Sequence, residues 1–240
     1  MAWFEAKNIR REYRLGNSVN VALDGFSLLA DKGDFVSIVG RSGSGKTTFL
    51  RIVAGLITQT AGEIVYGEDP PPRIGVVFQE PRLMPWLTVE QNVLFAFLKG
   101  AKRDIPFARA ASLLEMLGLS DYRRAYPNQL SGGMAQRVAL GRALCYEPEL
   151  ILMDEPLGSL DYFTRRTLQE EILKLYLLEK KTIFLVTHDV DEAVALSRRV
   201  IIADSGRIIG EIPVGLAYPR HRADPEFASL VEHILSHIVG

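Results

Sequence analysis

Gly40-Arg41-Ser42-Gly43-Ser44-Gly45-Lys46-Thr47 sets three glycines ahead of a lysine and a hydroxyl, a spacing suited to gripping phosphate. Successive backbone N–H groups converge on phosphate oxygens only in conformations that side chains would block. A helix starting near Lys46 would bring the positive end of its dipole to the same anion. Lys46 would then reach the β- and γ-phosphates of a nucleotide, and the Thr47 hydroxyl would ligate Mg²⁺. The expected cradle is Gly40, Ser42, Gly43, Ser44, Gly45, Lys46, Thr47 and Thr48. Far downstream, the apolar run Leu150 to Met153 ends in Asp154-Glu155. Asp154 would sit where ligands of open α/β sheets bind and would help to hold Mg²⁺. Glu155, one residue further, is the expected base for an attacking water, assistance worth roughly 10²–10⁴-fold in rate.

These residues need strands that end together. Phe35 to Val39 is short, apolar and rich in β-branched residues, the pattern of a strand buried on both faces, and the glycine loop follows at once. Thr47 to Ala54 has helical composition with Gly55 as a stop, so strand, loop and helix stand in the order a P-loop requires. Ile74 to Phe78, Leu150 to Met153, Ile183 to Val186 and Val200 to Ala203 are further buried-strand candidates, with helical stretches at Arg165 to Leu178 and Val190 to Ser197. That alternation predicts a mostly parallel sheet flanked by helices. Upstream, Phe4 to Tyr13 and Val21 to Ala30 read as strands broken by a turn at Leu15-Gly16-Asn17. From about residue 86 to 142 helical periodicity dominates, which predicts a helical lobe inserted in the sheet domain. Residues 1–216 are taken as one domain, and 217–240 as a linker and an amphipathic helix capped at Asp224-Pro225. The apolar face of that helix, Phe227, Leu230, Val231, Ile234, Leu235 and Ile238, suits docking on its own domain or contact with a partner or membrane surface. His233 and His237 stand four apart on it with no third metal ligand in view.

Composition narrows the class. Charged residues make up 24% and balance to a net charge of -1, which argues against a nucleic-acid partner. The one cysteine, Cys145, excludes an internal disulfide and lies in an apolar setting that suits a small core residue. No apolar run approaches the ~18 residues of a membrane span, so other chains would have to supply any pore.

Four further motifs complete the pattern: Gln79, Leu130-Ser131-Gly132-Gly133, Ser159-Leu160-Asp161 and Thr187-His188-Asp189. Ser131 precedes a helix-prone stretch and can cap it with the N-terminus facing an anion. His188 follows an apolar strand at the ligand-binding edge of the sheet. In this order and over nearly the whole chain, the motifs resemble the ATPase subunits of ABC transporters. The resemblance implies a P-loop ABC nucleotide-binding domain with an N-terminal antiparallel β subdomain and an inserted helical lobe. It implies ATP and Mg²⁺ as ligands, and a homodimer or a pairing with a homologous subunit closed around two ATP molecules. Ser131, Gly132 and Gly133 would act on the partner subunit's ATP, and Asp161 would lie in the D-loop crossing the interface. Gln79 would sense Mg²⁺ and water, His188 would contact the γ-phosphate, and Tyr13 would stack under adenine, or else fill an edge-strand surface. Met134 departs from the commonest form, which has glutamine, and puts in doubt one secondary polar contact.

Glu80 to Val89 resembles importer ATPases for nitrate, sulfonates, taurine and similar small anions. That implies transmembrane permease subunits, an extracytoplasmic solute-binding protein and a peripheral place on the cytoplasmic face of the inner (plasma) membrane. Within this stretch Leu83, Met84, Trp86 and Leu87 suit either a permease helix or burial inside the helical lobe. A soluble ABC ATPase in cofactor assembly is the alternative, and a nucleotide sensor without turnover is a third reading.

Overall fold

The structure is a computed structural model and describes residues 2–16, 18–98 and 105–239. In chain order its elements begin with β1 (Phe4–Leu15), β2 (Ser18–Ala30), β3 (Phe35–Val39), α1 (Lys46–Val53), β4 (Ala61–Tyr66) and β5 (Ile74–Val77). Helices α2 (Val89–Val93), α3 (Phe107–Met116) and α4 (Gly132–Cys145) follow, joined by short 3-10 turns. Then come β6 (Leu150–Asp154), α5 (Tyr162–Glu179), β7 (Thr182–Val186), α6 (Val190–Leu196), β8 (Arg199–Asp204), β9 (Arg207–Pro213) and α7 (Pro225–Val239). Asn17 of the expected turn and residues 99–104 of the expected helical segment lie outside the described residues.

Two sheets form. β2-β1-β4 is antiparallel, and β5-β6-β7-β3-β8-β9 is parallel except for its last pair. Successive strand side chains point to opposite faces, and here both faces are covered. Val36, Ile38, Leu150, Leu152, Phe184 and Val186 pack with α1 and the smaller sheet. Phe35, Ile151, Met153, Ile183 and Leu185 pack with α4 and α5 on the other face. β3 and β7 are consequently buried at every position. A third cluster joins α6, β8 and α7, in which Phe227 and Ile234 are fully buried. α7 is therefore docked on its own chain through part of its apolar face. Among the described residues no helix is long and apolar enough to cross a membrane.

β4 and β9 have no counterpart among the expected strands. Both lie at sheet edges with more than half their residues exposed, so neither carries the continuous apolar run that marks the central strands. Helix starts are fixed by local caps. Thr88 and Gln91 form a reciprocal capping box on α2, Ser131 caps α4, Asp161 caps α5 and Asp189 caps α6.

Phe184 is fully buried in β7 and meets Phe4 edge-to-face with ring centroids 5.0 Å apart, tying the two sheets together. Phe184→Ala is expected to cost about 3–5 kcal/mol of stability, read as a lowered urea midpoint at unchanged slope.

Candidate active site

The carboxyl ends of β3, β6 and β7 share one edge of the parallel sheet. From β3 the chain turns through residues 40–45 into α1. A side chain at Gly40 would overlap the Ala203 carbonyl oxygen, and one at Gly45 would overlap the Ala22 carbonyl, so the loop is pressed between β8 and β2. Lys46 folds along the inside of this loop. Its Nζ donates to the carbonyls of Gly40 (2.8 Å) and Arg41 (2.9 Å) and to Ser44 Oγ (3.3 Å), which uses all three ammonium donors. Burial pushes the ammonium below the ordinary lysine value, against the pull of Glu155 and Asp154.

Thr47 Oγ1 donates to Asp154 Oδ1 at 2.8 Å. Burial raises the Asp154 carboxyl above its usual range, opposed by this bond and by Arg51. The next residue, Glu155, takes φ +46° and is held by its N–H to the Val186 carbonyl at 2.8 Å. Glu155 Oε2 lies 3.1 Å from His188 Nδ1. Glu155 and His188 line a cleft of about 530 Å³ with Tyr13, Asn20, Val21, Ala22, Ser42 to Lys46, Thr47 and Thr48. Tyr13 stands at the end of β1 with the Arg11 guanidinium 4.7 Å over its ring.

The structure thus gathers most of the sequence-expected residues at one place. Gly40 lies beneath the loop and Asp154 joins through Thr47. Gln79 is reached from the side: a methyl on Gly158 would stand 3.4 Å from Gln79 Nε2 and 3.6 Å from Glu155 Oε2. Ser131, Gly132, Gly133 and Asp161 do not line the cleft. Ser131 Oγ accepts the Met134 N–H at 3.3 Å, and Asp161 Oδ1 accepts the N–H groups of Phe163 and Thr164 at 3.1 Å each. Hydrogen bonds from Thr164 and Phe163 hold the Asp161 carboxyl below its usual range. A side chain at Gly133 would overlap Thr164, so the N-termini of α4 and α5 sit against each other. Met134 packs on the helical core, which gives its apolar side chain a use.

Several residues were missed. Asn20, opposite Tyr13 in the β1–β2 register, lines the cleft but belongs to an exposed hairpin end with no motif to mark it. Gln136, buried on α4, donates to the Phe78 carbonyl at 2.9 Å. Arg142 donates to the carbonyls of Pro81 and Arg82 at 2.8 Å each. Asn92 bonds Met84, Leu87 and Thr88. Long-range bonds from polar side chains to backbone leave no local signal in a sequence.

Among the described residues no cluster of three or more His, Cys, Asp or Glu could cage a metal ion. Thr47, Asp154 and Gln79 offer oxygens only, with one carboxylate among them. That donor set fits Mg²⁺, which keeps few protein ligands and shares substrate phosphates.

A family model described as "ABC transporter" matches residues 23–158. The aliphatic sulfonates import ATP-binding protein SsuB of Rhodopseudomonas palustris is 49% identical over 220 residues, 90% of this chain and 77% of that protein. The protein of the same name in Bacillus subtilis is 43% identical over 224 residues, 90% of this chain and 87% of its own. An ATP-binding cassette solved as a dimer in a post-hydrolysis state with ADP and Pi superposes with a TM-score of 0.77 at 34% identity, covering 89% of this chain and 100% of that one.

Gly40→Ala is expected to drive the loop off the Ala203 carbonyl. Nucleotide affinity should fall at least tenfold, and the melting temperature should fall with it, in a titration with a fluorescent ATP analogue and a thermal melt.

Proposed function

Because the chain belongs to the ABC transporter family and is an ATP hydrolase of that family, we propose that it is the ATPase subunit of an importer for a small, anionic solute of the sulfonate, taurine or nitrate type. The contact that carries the hydrolytic part is Glu155 Oε2 to His188 Nδ1, 3.1 Å, at the cleft above the glycine loop. ATP lies with its base toward Tyr13 and Asn20 and its phosphates over residues 42–48. Lys46 exchanges loop carbonyls for β- and γ-phosphate oxygens, and Thr47, Asp154 and Gln79 would hold Mg²⁺, which would supply charge neutralisation at the phosphates. Glu155 takes the proton of the attacking water, and His188 keeps Glu155 oriented and meets the γ-phosphate.

Ser131, Gly132 and Gly133 stand away from the cleft of their own chain, which supports a role on the nucleotide of a second copy. Two copies closing around two ATP molecules would then pull on a permease, with an extracytoplasmic protein delivering the solute. The chain would work as a peripheral protein on the cytoplasmic face of the membrane. Relatives named for sulfonate import support this reading over the soluble, cofactor-assembly alternative.

Of the apolar patch after Gln79, Leu83 packs on the helical core while Trp86 is 69% exposed. Trp86 is therefore the expected permease contact. Trp86→Ala should leave basal ATP turnover within about twofold and lower solute uptake in vesicles holding the complete transporter. Glu155→Gln should keep ATP binding and lose at least a hundredfold in turnover, persisting as an ATP-bound dimer on gel filtration. Undiminished phosphate release from that variant would remove Glu155 as the base.

A further inference from the structure

The turn carrying His188 is braced from beneath by a carboxylate outside the catalytic scheme above. Glu192 on α6 is only 3% exposed. Its Oε2 accepts the Thr187 hydroxyl at 2.7 Å, and that hydroxyl oxygen accepts the Asp189 N–H at 3.1 Å. The Glu192 backbone N–H donates in turn to Asp189 Oδ1 at 3.1 Å. The neighbours of His188 on both sides are thus closed into one hydrogen-bonded ring in which Thr187 and Glu192 are buried. The His188 side chain points outward, 63% exposed, to meet Glu155. A buried acid is a costly way to brace a turn, and the second oxygen, Oε1, has no hydrogen-bond partner among the described residues.

We propose that Glu192 is a positioning residue for His188: by gripping Thr187 it fixes where the imidazole stands relative to Glu155. The inference rests on the hydrolytic reading of Glu155 and His188.

The charged groups facing Glu192 are Asp189 in its own capping turn, Arg165 from α5 and Arg222 from the segment before α7. Neither arginine bonds it. Arg165 reaches Asp189 Oδ2 at 3.5 Å and the Leu160 carbonyl at 3.2 Å, and Arg222 reaches Gln169 Oε1 at 3.1 Å. Burial therefore prevails over their attraction and pushes the Glu192 carboxyl up to about 7. A carboxyl raised in the folded state favours folding when protonated, so its contribution is complete below the ordinary glutamate value and is lost as pH rises through about 7. Its grip on Thr187 has the opposite dependence, because the ionised oxygen is the stronger acceptor. His188 should then be held best above neutrality.

The test compares the full wild-type chain with Glu192→Gln, which keeps the shape and loses the titration, with Thr187→Val, and with the double variant. ATP turnover is followed between about pH 6 and 8.5, a range that brackets neutrality, and the ring resonances of the four histidines are followed by NMR. Glu192→Gln should lower kcat about tenfold with KM for ATP little changed, and should abolish the rise in kcat across neutrality. The double variant should be no worse than the poorer single one, since both substitutions act on the same Thr187–Glu192 contact. His188 resonances should shift in each variant while those of His221, His233 and His237 stay. Unchanged kcat and pH profile in Glu192→Gln, or effects that multiply independently, would overturn the proposal. If the wild type itself releases no phosphate, the hydrolytic reading fails, and unmoved His188 resonances would separately remove the positioning role.

Discussion

A parallel sheet buried on both faces leaves charged side chains one place to go, the ends of its strands, and this constraint arranges the site. β3 and β7 are buried at every residue, and β6 up to its last. Their first polar residues past the core are the glycine loop, Asp154-Glu155 and Thr187-His188. Because the strands are parallel and in register, with Asp154 opposite Val186, those three turns emerge side by side. Functional residues separated by over a hundred positions thus meet without any long-range polar contact having to guide them. The apolar clusters on the two faces do the guiding, and the chemistry sits where they stop.

The same edge concentrates electrostatic and conformational cost. Burial moves Lys46 down and Asp154 up, each toward neutrality, so desolvation outweighs their mutual attraction. Neither makes an ion pair with the other: Lys46 is satisfied by loop carbonyls and Asp154 by the Thr47 hydroxyl. An anion with many acceptor oxygens suits such a site, because it offers Lys46 a charged partner that the protein withholds. Glu155 adds a left-handed backbone at φ +46°, a conformation that costs a non-glycine residue about 1–3 kcal/mol. The bond from its N–H to Val186 holds that geometry and turns the side chain toward His188 rather than along the strand direction of Asp154.

How much of this was legible follows from which interactions are local. The glycine loop, the Asp154-Glu155 step and the Thr187-His188 turn each adjoin an apolar strand, so sequence neighbours announce them. The caps Ser131, Asp161 and Asp189 all act within three residues, but Ser131 alone is expected from the sequence as a helix cap, while Asp161 and Asp189 fall in motifs expected for other duties. Two of those caps show the limit: Ser131 and Asp161 accept helix N–H groups in their own chain, and a sequence does not separate that duty from one on a partner. β4 and β9 escaped because edge strands alternate exposed and half-buried residues and lack an apolar run. Gln136, Arg142, Asn92 and Glu192 escaped for a different reason. Each is a polar residue in a helix, and its importance lies in a contact that only the fold creates.

Those helical residues alter how the segment after β5 is understood. Gln79 is exposed, and its loop gains little from the sheet. Instead, Gln136 and Arg142 of α4 hold the carbonyls of Phe78, Pro81 and Arg82, and Asn92 of α2 holds those of Met84, Leu87 and Thr88. The Arg82 guanidinium also stacks 4.2 Å over the Phe78 ring, closing the loop on itself. α4 is therefore the common support of two features that a linear reading treats separately, the Ser131 turn at its N-terminus and the Gln79 loop along its side. Gln136 and Arg142 together tie the loop to α4 at three carbonyls, by bonds that are part-buried except for the exposed one to Arg82. The geometry of Gln79 relative to Glu155 is accordingly set by how α4 sits on the sheet, with Gly158 leaving the space between them open.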